Sequence, residues 1–214
     1  ESLRLRMNSS TSFDTPRSVT VNVGGSTDSW TVRTRACADT PGDYCGAWTV
    51  FVTQQTWDGD LGGVFGAHNK CRLIANAAGL PGGYRAWISD NTRSPATSSR
   101  FAGLRSSPFA YKTTGGAKIA DNWGDLTDGS LDAPLNTDEN GNSQGGSVWT
   151  NVSADGNKRS SNASLRCNSW TRGGGFSFND GYYGYANATD GRWTDNGRVD
   201  CGNLKRLYCF QTRL

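Results

Sequence analysis

Val64-Phe65-Gly66-Ala67-His68-Asn69-Lys70-Cys71-Arg72-Leu73-Ile74-Ala75-Asn76-Ala77-Ala78-Gly79 runs straight into Leu80-Pro81-Gly82-Gly83-Tyr84-Arg85-Ala86-Trp87-Ile88-Ser89. In the first half Ala67, Cys71, Ile74 and Ala78 recur at helical spacing, which predicts a helix over about Val64 to Ala78 with those residues on one face. Gly79 ends it, because glycine accepts the left-handed backbone of a C′ position. Cys71 therefore points into a core, where a disulfide to a distant strand would pin the helix. Tyr84 to Ser89, aromatic and apolar after a Pro-Gly-Gly turn, reads as a strand.

Working outward, Ala47-Trp48-Thr49-Val50-Phe51-Val52-Thr53 is a strand of β-branched and aromatic residues. Before it, Ser18 to Val23 and Ser29 to Arg33 alternate around Gly24-Gly25, which reads as a β-hairpin. Residues 1–47 thus form an N-terminal β extension and 48–214 the main domain. After the decisive stretch, Ser94-Pro95 carries the N-cap and N1 signals of a short second helix. Phe109 to Thr113 and Ala117 to Ala120 suggest another hairpin across Gly115-Gly116. The chain to Gly146 reads as loop, with short strands expected at Ser147–Thr150, Ser164–Trp170 and Arg206–Gln211. Helices early and broken strands with long loops late indicate an α+β fold. Loops this long are ordinarily functional or stapled.

Hydrophobic residues make up 35% of the 214, and counting the 28 glycines in while leaving the 7 tyrosines out gives about 45%, the ordinary globular share. The net charge of +3 is spread along the chain with no Lys/Arg block, so no nucleic-acid partner is expected. No run is apolar enough to span a membrane. An even set of 6 cysteines, with few lysines, fits a secreted or cell-surface protein; no leader is visible at Glu1, so one has either been removed or lies ahead of that residue. Sequence proximity favours pairing Cys37 with Cys45 around Pro41-Gly42; a metal site there is disfavoured by the spacing and by the single histidine. Asn8, Asn151, Asn162 and Asn187 head N-x-S/T sequons, about as many as this composition gives by chance.

The helix bearing Cys71 and the run Ala78 to Ser89 resemble the endostatin-like branch of the C-type lectin-like superfamily. Ala120-Asp121-Asn122-Trp123, Cys167-Asn168-Ser169-Trp170, Trp193-Thr194-Asp195 ahead of Cys201, and Leu207-Tyr208-Cys209-Phe210 follow in the order of that family. The chain is similar, more closely, to bacterial secreted and surface proteins with this domain, such as the leptospiral endostatin-like adhesins. The resemblance covers about 48–214 and implies a C-type lectin-like domain with Cys71 paired to Cys209 and Cys167 to Cys201. It departs from sugar-binding relatives: no E-P-N or Q-P-D triplet precedes Cys167, and the W-N-D place holds Trp193-Thr194-Asp195 with Asn196 one step late. The N-terminal zinc-binding histidines of endostatins are absent here.

Candidate sites follow from residue chemistry. Asp138-Glu139-Asn140-Gly141-Asn142, together with Asp132, gathers oxygen ligands in a glycine-permitted turn and is the candidate calcium site, although such a loop is also an ordinary solvated turn. Asp58-Gly59-Asp60 lacks the later ligands of a calcium loop and reads as a turn. Between Cys167 and Cys201, Asn179, Asp180, Tyr182, Tyr183 and Tyr185, with Asp195 and Asn196, offer stiff rings and adaptable hydrogen bonds for a ligand. Phe176 and Phe178 are read as core, as are Trp123, Trp149, Trp170 and Trp193. His68 reads as a surface or edge residue, and no catalytic set is expected. The expectation is a recognition module for an extracellular glycan or protein. The alternative is a structural subunit of an extracellular fibre or matrix, self-assembling through the N-terminal strands. A glycan hydrolase ranks third.

Overall fold

A computed structural model describes residues 17–23, 26–32, 47–175 and 179–212. The chain divides into two compact units, Glu1–Cys45 and Gly46–Leu214. In the first, β1 (Arg17–Val23) pairs antiparallel with β2 (Ser26–Val32), Arg17 opposite Val32 and Val23 opposite Ser26. The hairpin expected from the alternating valines and threonines is therefore formed. The Cys37–Cys45 pairing and the placement of Phe176 and Phe178 lie outside the described residues.

In chain order the second unit carries β3 (Ala47–Val52), α1 (Gly63–Ala77), β4 (Gly83–Ala86), α2 (Ala102–Arg105), β5 (Ala110–Thr113) and β6 (Lys118–Ala120). Then come α3 (Trp123–Leu126), β7 (Ser147–Trp149), β8 (Asp180–Tyr185), β9 (Gly197–Asp200) and β10 (Tyr208–Thr212). It is an α+β arrangement with few short helices and two sheets. One sheet runs β4-β10-β3-β5-β6, with only β3 and β5 parallel; the other runs β7-β8-β9, antiparallel throughout.

α1 closes with a Schellman arrangement. Leu80 N–H donates to the Ala75 carbonyl at 2.9 Å and Gly79 N–H to that of Asn76 at 3.1 Å, with Gly79 at φ +70°. Two core clusters flank the larger sheet, as the period of two requires. Trp48, Val50, Val52, Tyr208 and Phe210 turn to one side, where Trp87 stacks among Phe101, Trp123, Trp193 and Phe210. Phe51, Tyr84, Ala86 and Cys209 turn to the other, beneath α1. Cys71 on α1 is bonded to Cys209 on β10, and Cys167 to Cys201. The first spans 138 residues and the second 34. On the loop-entropy model each closure stabilises the fold by about 2–5 kcal/mol.

Three local expectations are corrected. Ser94-Pro95 opens a turn, not a helix: the Ser94 carbonyl takes both Thr97 and Ser98 N–H, and helical turns begin at Ser99, capped by Ser98 Oγ. Ser164–Trp170 is not a strand. Cys167, Asn168, Ser169 and Trp170 all have positive φ, between 50° and 67°, making a left-handed turn. Such a turn costs about 1–2 kcal/mol per residue. It is held by the Cys167–Cys201 bond and by Trp170 Nε1, which donates to the Ser89 carbonyl at 2.7 Å. Lastly, the glycine- and tyrosine-rich segment between Cys167 and Cys201, where the sequence predicts no strand, contains one, β8.

Candidate functional site

β8 is the middle strand of the smaller sheet, so its side chains alternate between two environments. Gly181 and Gly184 permit this seating. A Cβ at Gly184 would lie 2.0 Å from the Trp193 carbonyl oxygen, and one at Gly181 would lie 2.7 Å from Cys167 Sγ. The glycines that suggested a flexible loop thus allow a strand to lie close against the cross-linked core.

The tyrosines are divided accordingly. Tyr183 packs against the α1-side cluster, opposite Trp149 in register, and Lys205 Nζ sits 4.1 Å from its ring centroid. Tyr182 faces the other way. It lies opposite Arg198 on β9, with the Arg159 guanidinium 5.1 Å from its ring centroid. Arg159 Nε is in turn 2.7 Å from Asp195 Oδ2. On the same side of β8, Asp180 approaches Arg198 at 3.7 Å. Tyr182, Asp180 and Asp195 are therefore brought together, joined by Arg159 and Arg198, which residue chemistry alone did not single out. Nothing local marks Arg159: it arrives from a separate loop.

The remaining candidates sit elsewhere. Tyr185 is exposed at the end of β8, where Asn187 Nδ2 donates to its hydroxyl at 3.5 Å and accepts through Oδ1 from Asn136 Nδ2 at 3.1 Å. Asn196 is exposed, and its N–H donates to the Tyr183 carbonyl at 2.8 Å. Asn179 is buried, its carbonyl accepting from Cys201 N–H. It is a structural residue.

The calcium candidates are also divided. Asp138 is buried, and its Oδ1 accepts from the N–H groups of Asn140 and Asn142, both at 2.9 Å. Its Oδ2 is buried without a hydrogen-bond partner. Glu139 accepts from Gln54 N–H at 3.0 Å, and Asn140 is exposed. Asp132 belongs to a different group. Among the described residues it is Asp121, Asp125 and Asp132 whose oxygens lie within 4.8 Å of one another. Lys118 Nζ already reaches two of them, at 2.5 Å from Asp121 and 2.9 Å from Asp132.

His68 is corrected from a surface residue to a buried one. The helical period places it with Val64, Ala67, Cys71 and Ala75 on the inner face of α1. There its Nδ1 accepts the Ala86 N–H at 3.2 Å, covering a donor of edge strand β4. Burial first, then the charges of Arg85, Arg100 and Arg93, lower its pKa to about 3, so the ring is neutral at physiological pH. The signal was present in the spacing: His68 lies four residues after Val64 and three before Cys71.

No protein-family model and no curated protein matches the chain.

Proposed function

We propose that the chain is a secreted or cell-surface recognition module, its 48–214 region an endostatin-like member of the C-type lectin-like superfamily. It binds an extracellular glycan or protein through the loops around β8. The observation that carries this reading is the outward cluster of Tyr182, Arg159 and Asp195 on the smaller sheet. A half-buried tyrosine flanked by charges already fixed in place offers a stacking surface with few rotamers to order on binding. Two disulfides in the domain support an oxidising compartment. No helix among the described residues is long and apolar enough to cross a membrane. The reading assigns no catalytic residue.

Calcium is not required by this face, since its charged groups pair with one another. The unpartnered Asp138 Oδ2 is the one feature of the earlier loop that a cation would satisfy. A glycan array and a panel of extracellular-matrix proteins, each with and without EDTA, test the reading. Saturable, EDTA-insensitive binding is expected, lost in Tyr182→Ala and Arg159→Ala while both variants keep wild-type melting curves. Folded protein that binds nothing, or binding untouched by both variants, would sink it.

A second reading, self-assembly into an extracellular structure, is favoured by one feature. In the β1–β2 sheet each strand has only one paired edge within that sheet. Concentration-dependent oligomers that vanish on removing residues 1–45 would select it.

A further inference from the structure

Three arginines converge where the larger sheet ends. Arg85 on edge strand β4, Arg93 in the turn after it and Arg100 in the helical turn before α2 line a cavity of about 720 Å³. Elsewhere on the surface four cations pair with aspartates: Lys118 with Asp121, Arg159 with Asp195, Arg192 with Asp190, Arg198 with Asp180. Among the described residues Arg85, Arg93 and Arg100 have no such counter-ion. Asp90 feels the charge of Arg93, but its carboxylate is held by the N–H and hydroxyl of Thr92 and by the N–H of Arg93, with no ion pair to the guanidinium. Burial, then the like charges of Arg100 and Arg72, push the Arg85 pKa down, so the positive field costs the protein something.

The lining narrows the ligand. Ser98 Oγ accepts from Arg100 N–H, which leaves its O–H to donate into the cavity. A carboxylate carries one charge and two oxygens, and a single guanidinium fork satisfies it. Three guanidiniums and a hydroxyl donor instead match a group with three oxygens and about two negative charges, which is a phosphate monoester. The cavity holds several times the volume of a phosphate group, within the range of sites that take small molecules. Ser99 and Thr212 in the lining offer hydroxyls to whatever carries the phosphate. Because the cations gather in one concave place, an extended polyanion would reach them with few of its charges.

We propose that this cavity binds a phosphate monoester carried on a sugar-sized body. The site shares no residue with the β8 face, so either can fail while the other binds.

Isothermal titration calorimetry of the full chain tests it, with glucose 6-phosphate, inorganic phosphate, glucose and dextran sulfate as probes. Glucose 6-phosphate is expected to bind saturably at one site, with inorganic phosphate weaker and glucose silent. Arg100→Gln and Arg93→Gln should each weaken it by about tenfold or more, the loss of a charged hydrogen bond. Arg93 is exposed, so its variant folds even where others do not. Arg192→Gln, which removes an exposed arginine paired with Asp190, should change nothing. The proposal is overturned by absence of glucose 6-phosphate binding to folded protein, or by unchanged affinity in Arg93→Gln and Arg100→Gln. Equal affinity for inorganic phosphate, or dextran sulfate binding that glucose 6-phosphate does not displace, overturns it too.

Discussion

Lys205 and the pair Arg93 and Arg100 are both set against aromatic rings without a carboxylate, and the two places are built in opposite ways. Lys205 is 7% exposed, with its ammonium 4.1 Å from the Tyr183 centroid and 5.3 Å from that of Trp149. Arg93 and Arg100 lie 5.8 and 4.9 Å from Phe65, a ring that is 61% exposed. In the first place rings enclose the charge on the inner face of β8, and burial lowers the lysine pKa. In the second the charges stand at the mouth of a cavity. The same attraction therefore serves packing when closed and leaves cations available when open. Cation–π contacts contribute about 0.5–1 kcal/mol at exposed sites and about 2 when desolvated, so only the enclosed pair has much to offer stability.

The strongest test of this contrast is His68, which the open arginines help to keep neutral. The unfolded chain protonates its histidine below about pH 6.5, the folded one only near pH 3. The folded pKa is depressed, so this contribution is fully present above pH 6.5 and is lost as the pH falls toward 3. Between pH 6.5 and 4 the loss should be on the order of 3 kcal/mol. His68→Asn keeps an acceptor for Ala86 N–H but cannot titrate. Urea midpoints at pH 7, 5 and 4 should therefore fall less steeply for the variant. Parallel slopes would mean that neither burial nor the arginines hold His68 neutral in the fold.

What the sequence showed and hid follows the same division. The helix over Val64 to Ala78, its stop at Gly79 and the strands on either side were legible because their signals are local and periodic. The pairings Cys71–Cys209 and Cys167–Cys201 came from a resemblance, since composition alone leaves many pairings open. β8 was hidden because Gly181 and Gly184, which let it approach Trp193 and Cys167, look like loop residues. Without the strand, nothing said that Tyr182 and Tyr183 face opposite ways. The left-handed turn at Cys167–Trp170 has no propensity signal; a distant disulfide and a tryptophan hydrogen bond hold it. Arg85, Arg93 and Arg100 are scattered across a strand and two turns, so only the fold gathers them.

Removing a wall of the closed site comes next in size. Tyr183→Ala should destabilise the domain by about 2 kcal/mol, less than the loss of a fully buried ring, since Tyr183 is half-buried. It also exposes Lys205 to water, which returns part of the cost. Denaturant unfolding followed by tryptophan fluorescence measures this. A change below about 0.5 kcal/mol would show that the cage is not closed in solution.

Replacing the charge itself is expected to do less. Lys205→Met keeps the stem and fills similar volume, while removing both the ring attraction and the desolvation penalty of the ammonium. These oppose each other, so the net change should lie within about 1 kcal/mol of zero. Its clearer mark is on pH dependence. With the folded lysine pKa below its ordinary 10.5, wild-type stability should gain as pH rises through the folded pKa toward 10.5, and the variant should lack that gain. Matching profiles would place the ammonium in water.

Phe65→Ala should have the smallest effect on stability, within about 0.5 kcal/mol, because the ring is mostly exposed and its cations are solvated. The ring does restrict where Arg93 and Arg100 can point. Losing it frees two long side chains whose ordering must then be supplied on binding, at about 0.5–1.5 kcal/mol for each one immobilised. Glucose 6-phosphate affinity should therefore drop by roughly fivefold to a hundredfold while the urea midpoint barely moves. That split separates a rim that arranges cations for a ligand from a cage that packs one. If Phe65→Ala instead costs more than about 1 kcal/mol of stability, the rim is as structural as the Lys205 cage. The contrast between the two sites would then rest on exposure alone.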